Sequence, residues 1–186
     1  MSSLIERCHG DVVDVSFSRR SVLRAAGSLA LAGVVSRRMS LSVLAQDATP
    51  AAGNYPVVEV TAENYKFTLP ESIAGGWTEL TFHNKGPADH HAMFMKLNDG
   101  TSFDQFKQAA DAATDLGALF AKSVCIGGAP SISAGETAST ILNIEPGNYA
   151  VICVIPDETG KPHYLMGMMN SLTVTEATSE LAAPQA

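Results

Sequence analysis

From Pro56 onward, apolar positions recur at intervals of two in short runs closed by Gly, Pro or Asn. "YPVVEVTAENYKFTLP" (residues 55–70) reads as a strand pair joined by an asparagine turn, and "TELTFHNKG" (78–86) as a strand ending in turn residues. "HHAMFMKL" (90–97), "TASTILNIE" (137–145), "GNYAVICVI" (147–155) and "NSLTVTE" (170–176) continue the alternation. β-Branched and aromatic residues at hairpin spacing predict an all-β sandwich or barrel. One segment changes period. "TSFDQFKQAADAATDLGALFAKS" places Phe103, Phe106, Ala110, Ala113, Leu116 and Phe120 on one helical face, with Ser102 or Thr101 as cap. The pattern predicts a single inserted helix over about 102–121, after which "GGAPSISAGETAST" returns the chain through a turn-rich loop.

The N-terminal stretch differs in kind. "SFSRRSVLRAAGSLALAGVV" resembles a twin-arginine export signal, with Ser18, Arg19, Arg20, Leu23 and Arg24 in the places of that pattern. The apolar run from Ser21 to Val35 is shorter than the roughly 20 residues a spanning helix needs. Residues 1–45 are therefore read as a leader cut after Ala45, and 46–55 as a small-residue linker. Residues 56–176 form the domain, and 177–186 a disordered tail. The expected location is outside the cytoplasm, in the periplasm or at the cell surface, with no stable membrane span in the mature form.

Loss of the leader alters the charge. Every arginine precedes Gln46, so residues 46–186 carry a net charge of about −10, against −7 for the whole chain. Such a surface repels nucleic acid and anionic lipid, and a protein partner met electrostatically is basic. Of the three cysteines, Cys8 lies in the leader. Cys125 and Cys153 remain, and an oxidising compartment makes their pairing one possible reading.

The other reading is a metal. "CVIPDETGKPHYLMGMM" (153–169) collects thiolate, imidazole and thioether, the soft ligands that select copper. Blue-copper sites need two imidazoles and a thiolate in a plane, with a weak axial methionine. In a sandwich, strand ends and loops at one pole bring such ligands together.

"GNYAVICVIPDETGKPHYLMGMMNSLTV" resembles the C-terminal end of cupredoxins, the plastocyanin and azurin superfamily. "FTLPESIAGGWTELTFHNKGPADHHAMFM" resembles the earlier half of that fold, with Phe82 and Asn84 at a strand end and a histidine entering the next strand. The resemblance implies a cupredoxin-like Greek-key β-sandwich holding one type 1 copper ion. Cys153 takes the strand-end thiolate position, and His163 is the only histidine after it. The intervening residues 154–162 make a loop long beside plastocyanin and similar to the blue-copper loop of copper nitrite reductases. "HYLMGM" then makes Met168 the preferred axial ligand.

The first imidazole has two candidates. Eight residues on from Phe82, the family spacing, stands His90. Alternation points instead to His91, which shares the more apolar face with Met93, Met95 and Leu97. His83 is expected at an exposed strand end.

The implied function is one-electron transfer with a redox partner protein, His163 being the edge that faces it. An enzyme is not expected, because a second copper centre needs several further histidines. The alternatives are a copper carrier using Met93, Met95, Met166, Met168 and Met169, or a metal-free cupredoxin-like binding module.

Overall fold

Residues alternating apolar and polar bury one face of a sheet, and the strands of this chain do so against each other. The computed structural model describes residues 55–113 and 115–184, and the backbone of 15–17. One sheet has the order β1-β8-β5-β2-β3, and the other β4-β10-β9-β6-β7. The first sheet contains β1 (Val15–Phe17), β2 (Val57–Glu63), β3 (Lys66–Thr68), β5 (Gly76–Asn84) and β8 (Thr137–Ile144). The second contains β4 (Ser72–Ala74), β6 (His90–Leu97), β7 (Ser123–Ile132), β9 (Gly147–Ile152) and β10 (Met169–Thr175). Pairing is antiparallel except β2 with β5 and β4 with β10. β1 falls within the segment read as a leader; its backbone pairs with the edge of β8. The rest of that leader, and the linker through 54, lie outside the described residues. No helix among the described residues is long and apolar enough to cross a membrane.

The chain buries apolar surface in two places. Between the sheets, Val60, Leu80, Phe82, Phe94, Leu142, Tyr149, Val151 and Leu172 form the main core. On the outer face of the second sheet, Met95, Cys125, Ala150 and Ile152 meet Phe106, Ala110 and Leu119 from the helical insert. Successive residues of β9 thus serve opposite cores: Tyr149, Val151 and then Cys153 face inward, Ala150 and Ile152 outward.

The insert is not one helix over 102–121. It consists of α1 (Phe103–Ala112) and a short α2 (Gly117–Phe120). Ser102 caps α1: its Oγ accepts from the Gln105 N–H while its own N–H donates to Gln105 Oε1. Asp115 Oδ1 accepts the Gly117 N–H at 2.6 Å, a local bond that competes with helix continuation and starts the second piece.

The stretch read as a loop after the helix, residues 127–140, is strand except at 133–136: it holds the end of β7, which also contains Cys125, and the start of β8. Its glycines hid it. Gly127 and Gly128 have φ of 107° and 145°, and the pairing with β6 shifts register beside them. A Cβ on Gly128 would stand 1.9 Å from the Ala92 carbonyl oxygen, so only glycine permits that approach.

Candidate metal centre

The inner face of β6 begins with His90, in register with the buried Ala92 and Phe94. The inner face of β9 ends with Cys153, and β10 begins just after Met168. These strand ends meet at one pole of the sandwich. There His90, Cys153 and His163 bring one ligand atom each to within 4.8 Å of one another, all three side chains buried. The His90 and His163 Nδ1 atoms are 3.1 Å apart, and Cys153 Sγ lies 3.5 Å from His163 Nδ1.

Backbone bonds hold the segment between Cys153 and Met168 in place. The His163 N–H donates to the Ile155 carbonyl, and the Tyr164 N–H to that of Cys153. The Met168 N–H donates to the His163 carbonyl, and the Cys153 N–H to that of Met168. His163–Met166 form a single 3₁₀ turn ended by Gly167 in the left-handed region, φ 103°. The long loop before it is closed on itself. Asp157 Oδ1 accepts from the Thr159 N–H, the Thr159 hydroxyl and the Lys161 N–H at 2.7–2.9 Å.

His90 is delivered by a second device. The buried Asn84 donates through Nδ2 to the carbonyls of Ala88 (2.7 Å) and Ile132 (3.0 Å) and accepts the Gly86 N–H (3.0 Å). It fixes the turn from β5 into β6. The sequence placed Asn84 in the family pattern without giving it this task; an asparagine at a strand end before Lys-Gly was the available signal.

The electrostatics favour the uncharged form of all three side chains. Burial, then the neighbouring His163, lowers the His90 pKa from 6.5 to about 4, against a smaller opposing effect of Asp89. Burial lowers that of His163 as well, with Asp157 opposing. Burial raises the Cys153 thiol, while backbone hydrogen bonds from His91 and Ile155 favour its anion. Both imidazoles are therefore neutral near pH 7, and the thiol needs a positive charge nearby to ionise. His90 Nε2 is buried with no hydrogen-bond partner, which leaves Nδ1 as the nitrogen directed at its two neighbours.

Other residues singled out in the sequence lie elsewhere. His91 faces the helix-covered side, where its Nε2 accepts the Val154 N–H at 3.1 Å. Met168 is fully buried in the core that contains Cys153, whereas Met95 is fully buried in the other. His83 is not at an open strand end: Glu59 Oε2 and Thr137 Oγ1 hold its two ring nitrogens at 2.5 and 2.9 Å. Cys153 is a free thiol. Cys125 is disulfide-bonded, but not to Cys153, whose side chain occupies the opposite face of the same sheet.

No family model and no curated protein matches the sequence. Among solved structures, auracyanin B is 28% identical, matching 68% of this chain and 91% of its own, with a TM-score of 0.42. Auracyanin A, a "blue" copper protein from Chloroflexus aurantiacus, is 20% identical over 64% and 98%, at 0.42. Rusticyanin from Thiobacillus ferrooxidans is 18% identical over 67% and 79%, at 0.39. The chain itself is a two-sheet sandwich with a buried His-Cys-His group at one pole.

Proposed function

We propose that this chain is an exported mononuclear type 1 copper protein that works in one-electron transfer, not an enzyme. The observation that carries this reading is the convergence of His90 Nδ1, Cys153 Sγ and His163 Nδ1 at one buried pole. Two neutral imidazoles and a thiol that ionises beside a cation are the donors a soft, redox-active metal takes. His90, Cys153 and His163 would hold one copper ion, and the buried Met168 would add a weak thioether donor. When bound, copper supplies a one-electron couple.

The residues around the site do the rest. Close packing and backbone bonds on both sides of Cys153 and His163 keep the donors in one arrangement, which limits reorganisation when charge changes. His163 lines a groove with Asp89, Asp157 and Glu158, so a redox partner with a basic docking surface fits there. The arginine-rich leader directs the protein out of the cytoplasm by the twin-arginine route.

The carrier alternative relied on five methionines acting as one cluster. It is less well supported because Met95 and Met168 belong to separate cores.

The test is the visible spectrum of the protein with added Cu(II), beside Cys153→Ser. An intense band that bleaches on reduction and is missing from the variant is expected. Absence of any band in the unmodified protein would refute copper–thiolate binding.

A further inference from the structure

Tyr65 occupies a backbone position that its ring disfavours. It is the only non-glycine among the described residues with positive φ, at 57°, in the Asn64–Tyr65 link between β2 and β3. Glycine or asparagine is the ordinary choice there. An outlier of this kind points to a task for the side chain. Its ring centroid lies 5.0 Å from that of His163, edge-on at 64°.

The groove beside the site explains what the ring does. This cleft, about 420 Å³, is lined by Tyr65, Ala88, Asp89, Ile155 and the start of the loop through Thr159, and His163 also borders it. His163 is nevertheless only 1% exposed. Two rings pack edge-on against the imidazole: that of His90 at 4.9 Å and that of Tyr65 at 5.0 Å. Of these two, Tyr65 is the one that also lines the groove.

We infer that Tyr65 is a positioning and shielding residue for His163, a ring that fixes the imidazole plane and closes its groove-side edge to small solutes. The inference deepens the copper reading, because it concerns access to a proposed ligand. It is nevertheless testable in the copper-free protein. The acidic groove and the ring act together. Carboxylates discourage anions, and the ring excludes uncharged solutes small enough to enter.

The experiment measures the rate at which diethyl pyrocarbonate acylates each histidine of the copper-free protein, mapped by peptide mass. In that reaction an imidazole nitrogen attacks a carbonyl carbon of the reagent and forms an N–C bond. Ethyl carbonate leaves, and the imidazole proton goes to solvent. Tyr65→Gly relieves the backbone while removing the ring, and Tyr65→Asn is a second variant compatible with the same φ. Both are expected to speed His163 acylation about tenfold, with His90 unchanged. Tyr65→Phe, which keeps the ring, should behave as the unmodified protein.

Equal His163 rates in the ring-deleted variants and the parent would overturn the inference. So would parallel acceleration of His90 and His163, which signals general loosening. Failure of the copper reading appears separately, as the absence of the Cys153-dependent visible band.

Discussion

His90 Nδ1 lies 3.1 Å from His163 Nδ1, although 73 positions separate the two residues in the chain. A 3₁₀ turn supplies one imidazole and the start of β6 the other. Neither could be protonated without placing a charge beside its neighbour at a buried position.

Burial of His90, reinforced by its neighbour His163, sets a pH dependence for the copper-free protein. The folded pKa of His90 is about 4, below the ordinary 6.5, chiefly through burial. The unfolded chain therefore takes up the proton first as pH falls. Stability from this group is complete above pH 6.5, declines between 6.5 and 4, and is level below that. The fully buried His90 alone accounts for a loss of about 3 kcal/mol. His91, also lowered to about 4 chiefly by burial, acts in the same direction. Urea midpoints measured across this window check the expectation. A midpoint that rises on acidification would contradict it.

Asn84 makes three hydrogen bonds from a buried side chain. Asn84→Ala would leave the Ala88 and Ile132 carbonyls and the Gly86 N–H without that partner. The expected destabilisation is about 3 kcal/mol, since each abandoned buried group costs about 1–3 kcal/mol before relaxation. Denaturant unfolding measures it directly, and an unchanged midpoint would show that the turn holds without the side chain.

Most of the sandwich was legible because alternation with a period of two survives wherever one face is wetter than the other. β6 runs 90–97, as "HHAMFMKL" predicted. The same strand shows the limit of that signal. Met93, Met95 and Leu97 made the face they share with His91 look inward because they are apolar, but the helical insert covers them from outside. With both faces buried, hydrophobicity no longer tells inside from outside. The count from Phe82 carried the information instead, and the structure groups His90 with Cys153 and His163. β7 was illegible for another reason: its paired glycines permit a close backbone contact, and in sequence they look like a loop.

Gly128 tests that explanation. A Cβ there would meet the Ala92 carbonyl oxygen at 1.9 Å, and φ of 145° is unfavourable to any side chain. Gly128→Ala must push β7 away from β6 and is expected to cost about 3 kcal/mol or more, at the upper end for overpacking. Gly135→Ala is the control, since it also has positive φ, at 79°, but meets nothing within 4 Å. A thermal melt should separate the two clearly. Equal losses would mean that backbone strain, and not the strand contact, sets the requirement for glycine.

Met168 separates packing from ligation. Its side chain is fully buried beside Cys153 in the inter-sheet core. Leucine has nearly the same volume, so Met168→Leu should cost less than about 1.5 kcal/mol if packing is its whole role. An axial thioether gives a different result. The copper-loaded variant would keep its thiolate band but shift it, and its reduction potential would change, because the axial ligand tunes such sites. Spectrum, potential and melting temperature of the same sample distinguish the cases. A near-unchanged melt with a displaced band and potential is the expected outcome. An unmoved band and potential would remove Met168 from the ligand set and leave His90, Cys153 and His163 as the complete protein contribution.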